Sequence, residues 1–210
     1  MRKLLLALCL LCLAATPALA WNVALMGGGT PVAAGGATAS DDFNRSDGAI
    51  GSDWTTITGT NPLVIASNQA EGGSSGARNG KYWNADSFNV NQYSQCKIVN
   101  SVAGNAGPAV RISSSAQTFY FMASTTTDIA LKKSVAGSQS TLDTFSGTYA
   151  AGGTFKLSAS GTSTTTLTAY YNGGLVDSYA DSSSPITTGQ PGIFAYSVWD
   201  PIDDWAAGDL

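Results

Sequence analysis

Residues 118–134 read TFYFMASTTTDIALKKS. Its two ends, TFYFMAS and DIALKKS, are short, rich in aromatic and β-branched residues, and patterned with a period of two. That is the spacing at which successive side chains of a strand point to opposite faces. The same texture returns in GTFKLSAS (153–160) and TTTLTAYY (164–171). The NGG at 172–174 then predicts a hairpin turn, because Asn and Gly tolerate positive φ. Extended outward, the pattern predicts strands over 40–45, 54–58, 62–70, 92–101, 107–113, 118–124 and 128–134. It continues over 140–145, 153–159, 164–171, 174–180, 191–198 and 202–206. No run of ten or more residues keeps a helical period. Many short strands with close turns predict an all-β, two-sheet antiparallel sandwich. Ser and Thr recur often but at no fixed interval, so a solenoid is not expected.

The start of the chain has a different character. Arg2 and Lys3 precede an almost wholly apolar run from Leu4 to Ala15, and Ala18-Leu19-Ala20 matches a small-residue cleavage site. This predicts a signal peptide over 1–20, too short for a membrane span, and hence an exported soluble protein. Cys9 and Cys12 fall inside that segment without a lipoprotein pattern, so no lipid anchor is expected. Residues 21–40, WNVALMGGGTPVAAGGATAS, are small, uncharged and Gly-rich, and read as a leader or linker. A docked terminal strand is the other reading of this stretch. One domain then follows over 41–210.

The chain carries 10 basic and 14 acidic residues, and loss of Arg2 and Lys3 takes the net charge from −4 to −6. An acidic chain with scattered cations lacks the footprint of a nucleic-acid binder. A polybasic membrane patch is absent as well, so neither nucleic acid nor membrane insertion is expected. Cleavage would leave Cys96 as the sole cysteine, unable to form an intrachain disulfide. In QYSQCKIVN it reads as a small buried core residue rather than a reactive thiol.

Six segments, in order, carry a resemblance: DDFNRSDGAIGSDW (41–54), QYSQCKIV (92–99), AGPAVRISSS (106–115), YYNGGLVDSY (170–179), GQPGIFAYS (189–197) and DDWAAGDL (203–210). Together they resemble the concanavalin A-like lectin/glucanase superfamily in its laminin-G-like jelly-roll branch. The resemblance implies one concave and one convex antiparallel sheet packed face to face. Lectins, carbohydrate-binding modules, glycosidases and phage-borne domains share that fold, so it does not by itself transfer an activity.

Several chemistries are excluded by composition. Histidine is absent from the sequence, which removes Ser-His-Asp and Cys-His mechanisms and His-based zinc sites. No phosphate-binding Gly-rich motif stands between a strand and a helix. Sugar cleavage normally takes two carboxylates flanking the bond. The superfamily's glucanases place two Glu and an Asp along one strand, whereas this sequence has a single Glu, Glu71 in NQAEGGSSG, expected at a solvated turn. An Asp pair is the remaining route to catalysis. A binding site without catalysis would use aromatic platforms beside amide and carboxylate groups. Its candidates are Trp83 in KYWNADSFN, Tyr93, Tyr120 and Trp199, with core packing as the alternative for each. Trp83 leads, set on an expected loop with Tyr82, Asn84 and Asp86. Arg111 reads either as a buried pairing residue or as part of a face. Asn44-Arg45-Ser46 is a glycosylation sequon, relevant only to a eukaryotic secretory pathway.

An Asp-Asp-aromatic triplet stands near each end of the domain, Asp41-Asp42-Phe43 and Asp203-Asp204-Trp205. In a jelly roll the first and last strands commonly lie side by side. With Phe43 and Trp205 turned inward, Asp42 and Asp204 would project together and repel unless neutralised. A structural calcium held by Asp42 and Asp204, less so by Asp41 and Asp203, would neutralise them, and the resemblance adds weight to that metal. The alternative is a set of solvated or turn-capping aspartates. The expected function is a secreted, non-catalytic carbohydrate-binding or adhesive domain whose partner is a glycan or polysaccharide. A glycan-cleaving enzyme using Asp residues, and a structural surface or virion-decoration protein, are the alternatives.

Overall fold

Period-two segments become strands, and their two-sided patterning decides which sheet is covered on both faces. The computed structural model describes residues 36–100, 106–198 and 200–210, and helix is absent among them. The first part of the chain forms β1 (Thr38–Asp41), β2 (Gly48–Ala49), β3 (Trp54–Thr56), β4 (Leu63–Ala66), β5 (Gln69–Gly72) and β6 (Asn79–Trp83). The middle forms β7 (Gln92–Ile98), β8 (Gly107–Ile112), β9 (Phe119–Ser124), β10 (Asp128–Val135) and β11 (Ser138–Ser146). The last part forms β12 (Thr154–Ser160), β13 (Thr165–Tyr171), β14 (Gly174–Asp181), β15 (Gln190–Ala195) and β16 (Ile202–Asp209).

Sheet one has nine strands in the order β14-β13-β12-β7-β16-β5-β4-β2, with β1 also paired to β16. Sheet two has seven, β11-β10-β9-β8-β15-β6-β3, and neighbouring strands in both sheets run antiparallel. From sheet one, Cys96, Ile98, Phe155, Leu157, Leu167 and Trp205 enter the main core. Sheet two sends Tyr120, Met122, Ile129, Leu131 and Ile193 to meet them. Its opposite face carries a second buried cluster that includes Phe119, Phe121 and Phe194, with ring centroids 4.7–5.5 Å apart. That is why FYFM has no polar alternate: β8 and β9 are buried on both faces. Cys96 is fully buried, and burial pushes its thiol pKa up, which leaves it an inert core residue.

The strand expectations need four corrections, the first being that residues 42–45 lie outside β1, with Phe43 at φ 54°. The segment 62–70 is a hairpin, split by Ser67 (φ 53°) and Asn68 (φ 60°) between β4 and β5. Those two left-handed residues make the tight turn, and the absence of Gly concealed it. Tyr82 and Trp83, expected on a loop with Asn84 and Asp86, belong to β6, which lies between β15 and β3. Glu71 lies within β5 rather than at a solvated turn, half-buried, and burial together with nearby Asp47 raises its carboxyl pKa. The turn at 172–174 forms as expected, with Asn172 at φ 48° and Gly173 at φ 78°. The signal segment lies outside the described residues, as does most of the 21–40 leader, whose last residues, Thr38 to Ser40, belong to β1.

The two triplets meet at a seam. Asp41 is in register with Trp205 where β1 pairs with β16, and Phe43 and Trp205 are both buried. The work at this seam falls to Asp41. Its carboxylate accepts hydrogen bonds from Arg45 Nη1 (2.8 Å) and Nη2 (2.6 Å), from Trp54 Nε1 (2.7 Å) and from Phe43 N (2.9 Å). Arg45 also donates to the Ile50 carbonyl (2.6 Å), and its bond to Asp41 raises the guanidinium pKa despite partial burial. At the other end Trp205 Nε1 donates to Ser94 Oγ (2.9 Å), which donates onward to the Gly192 carbonyl of sheet two (2.7 Å). Asp209 closes the seam by accepting from Ala37 N (2.9 Å) and Asn89 N (2.7 Å).

Candidate functional site

Where β6 runs out, Tyr82 and Trp83 take opposite faces of sheet two. Trp83 turns inward onto Trp54 and Trp205, with ring centroids 5.4 Å away in each case, and donates its indole N–H to Asp86 (2.8 Å). It is a partly buried wedge at the edge of the core, and it also walls a small hollow of about 280 Å³ with Trp54, Arg45 and Asp53. Tyr82 faces the other way and forms the floor of a larger hollow of about 490 Å³. Three chain segments surround that floor: Asn84, Asp86 and Ser87 after β6, Ser113 to Ser115 after β8, and Thr188 to Gln190 leading into β15. Ile112 is its second apolar member.

The walls are held by buried polar side chains behind them. Arg111, at φ 54°, is completely buried. Its guanidinium donates to the carbonyls of Val90 (3.0 Å), Ile186 (2.6 Å) and Gly161 (2.7 Å) and to Thr165 Oγ1 (2.7 Å). The positive charge is held by carbonyl dipoles, and burial pulls its pKa down. Gln92, also buried, accepts from Arg111 N (3.2 Å) and donates to the carbonyls of Asn89 (2.8 Å) and Gly189 (2.9 Å). One wall of the hollow is therefore tied to strand β7.

A second network fixes the segment that approaches Thr188. Lys133 donates to Asp181 (2.7 Å) and to the carbonyls of Ser183 (2.9 Å) and Ser184 (2.7 Å). Tyr120 donates its hydroxyl to Asp181 (2.6 Å) and accepts from Ile186 N (2.8 Å). Burial first, and the hydrogen bond to Asp181 second, push the Tyr120 pKa up to about 12.

The hollow presents hydroxyl, amide and carboxylate groups around one ring, an array suited to a ligand rich in hydroxyls. Gln190 Oε1 is buried there with no donor among the described residues. Asp86 is the one carboxylate among the residues lining the hollow. Two-carboxylate chemistry has no second member in it.

Of the residues picked from sequence, Trp83 adjoins this hollow, but the ring inside it is Tyr82. Tyr93 lies on the outer face of sheet one and Tyr120 is fully buried, so neither contributes to the hollow. Trp199 lies outside the described residues. Sequence reasoning passed over Ser113 to Ser115 and Thr188 to Gln190. A serine run after a strand was the available signal, but nothing in the sequence tied it to residues 84–87. Asp42 and Asp204 do line one shallow hollow of about 230 Å³. Asp204 faces Lys97 at 3.6 Å, and Asp41 is taken up by Arg45 and Trp54. Among the described residues no three Asp, Glu, His or Cys side chains group closely enough to hold a metal. A calcium takes six to eight oxygens, so carbonyls would have to supply most of any shell at Asp42 and Asp204. Asp203 is raised by burial, with Asp204 and Asp42 adding to the rise.

No protein-family model matches the chain, and comparison with curated proteins gives no match. Among solved structures it is similar to the carbohydrate binding module CBM66 from Bacillus subtilis. That likeness has a TM-score of 0.53 and 17% identity, and covers 73% of this chain and 92% of that one. Bacteroides ovatus xyloglucan PUL GH43B is similar over 81% of this chain and 39% of its own, with a TM-score of 0.51 and 17% identity. A Bacillus licheniformis beta-glucanase follows at a TM-score of 0.49 and 9% identity, covering 83% and 99%. The fold is the concanavalin A-like jelly-roll sandwich.

Proposed function

We propose that the chain is an exported carbohydrate-binding domain that holds a glycan in the Tyr82 hollow without cleaving it. The observation that carries this reading is the lining itself: many hydroxyl and amide groups, one ring, and a single carboxylate already accepting from Trp83. Similarity to a carbohydrate binding module supports the same ligand class. Export rests on the basic, apolar and Ala-x-Ala order of residues 1–20. Sugar hydroxyls would pair with the side chains of Asn84, Ser113 to Ser115 and Thr188 that line the hollow.

A glycan array probed with the wild-type protein identifies the ligand, and Asn84→Ala tests the place. Losing one ligand hydrogen bond should weaken affinity by about tenfold, with the melting temperature unchanged, since Asn84 is exposed. Prolonged incubation should release no new reducing ends. Unaltered affinity in Asn84→Ala, or cleavage of the bound glycan, would sink the reading.

A further inference from the structure

The outer face of sheet one carries an arrangement unrelated to the hollow. Ser40, Ala206, Gln95, Lys156, Tyr170 and Leu175 stand in register across it. In the neighbouring row Tyr93 is flanked by Gly208 and Ser158. A Cβ on Gly208 would come within 2.7 Å of the Tyr93 ring, so the glycine leaves room for that ring to lie along the sheet. Lys156 Nζ sits 4.0 Å from the Tyr93 ring centroid and 5.5 Å from that of Tyr170. Both tyrosines and the lysine are half-exposed.

Arg45, Lys97 and Lys133 each face a carboxylate; Lys156, like Arg78, Lys81 and Arg111, has none within 4.0 Å among the described residues, and its partners are ring faces. Ring faces attract the ammonium but leave its outward N–H groups free to donate. A cation between two half-exposed rings is complementary to a sugar that carries a negative charge. The rings meet the sugar's apolar face and the ammonium meets its anion.

We propose that the Tyr93–Lys156–Tyr170 face binds an anionic polysaccharide, as a second glycan surface independent of the Tyr82 hollow. The anion is a sugar-borne carboxylate or sulfate, both of which Lys156 recognises by charge. The test is affinity electrophoresis at low salt through gels containing polygalacturonate, dextran sulfate, neutral dextran or polyglutamate. One or both anionic polysaccharides should retard the wild-type protein, and which one does so identifies the anion. Neutral dextran and polyglutamate should retard it far less. Lys156→Gln and Tyr93→Leu should each weaken retention by about fivefold to tenfold. Lys156→Gln should leave neutral-glycan binding in the hollow intact, so the two sites stand or fall separately. Free passage of the wild type through both anionic gels overturns the proposal. So does equal retardation by polyglutamate, or retention of Lys156→Gln at the wild-type level.

Discussion

Asp181→Ala should destabilise the fold by about 3–5 kcal/mol, because it strands a buried ammonium. Lys133 and Asp181 form a pair with side chains 8% and 2% exposed, 2.7 Å apart. Removing the carboxylate leaves Lys133 with the Ser183 and Ser184 carbonyls and the Tyr120 ring, and deprives the Tyr120 hydroxyl of its acceptor. Chemical denaturation should show the loss as a lower midpoint at unchanged slope. Lys133→Met combined with Asp181→Leu should recover much of it, since an apolar pair carries no uncompensated charge. The pH dependence has a definite sign. Burial raises the Asp181 pKa, but the bonds from Lys133, Tyr120 and Ser183 N outweigh it and hold the carboxyl below its ordinary value. A depressed folded pKa supplies stability that is fully present above the unfolded value, about 3.9, and is lost as pH falls through the folded one. The wild-type melting temperature should therefore fall more steeply below pH 4 than that of Asp181→Ala. Parallel curves would mean that the pair contributes nothing to folding.

The second large effect belongs to Arg111. Arg111→Met should cost on the order of 3–5 kcal/mol, since four acceptors, three of them on buried or half-buried residues, lose a charged donor at once. Arg111→Lys should recover little, because one ammonium cannot reproduce a planar fork that reaches β13 and three loops. The damage should extend to binding. Ile186 lies two residues before Thr188, and Gln92 ties Arg111 N to Gly189. At a temperature where Arg111→Met remains folded, glycan affinity should still drop, while the Tyr93–Lys156–Tyr170 face should respond as in the wild type. Calorimetry of the variant against the array-selected glycan checks the first expectation. A fully stable Arg111→Met would show that the carbonyls find other donors.

Much of the fold was legible because a strand declares itself locally. IALKKS alternates whatever its partners are, FYFMAS is marked by its run of aromatic residues, and NGG makes its turn from its own φ preferences. The hairpin at Ser67–Asn68 was not legible, since two non-glycine residues adopt left-handed φ there only once β4 and β5 pair. The site shows the same division. Residues 82–86 were found, but which of Tyr82 and Trp83 faces the hollow depends on how β6 lies between β15 and β3. A one-residue change of phase exchanges the platform for the wedge. Arg111 contacts Thr165 and Ile186, 54 and 75 residues away, and no local pattern announces such partners. At the seam, the triplets were read as two projecting carboxylates. The tightest contacts instead belong to Asp41, whose neutralising partner Arg45 lies only four residues on.

The most direct test of the Tyr82 hollow is backbone amide chemical-shift mapping with the array-selected neutral glycan. Titration should move the amides of Asn84 to Ser87, Ser113 to Ser115 and Thr188 to Gln190 together, along one saturation curve. Amides around Tyr93 and Lys156 should stay in place, as should those of the Asp41–Arg45 seam. Shifts centred on either of those regions, with residues 84–87 and 113–115 unmoved, would contradict the assignment of the hollow as the glycan site.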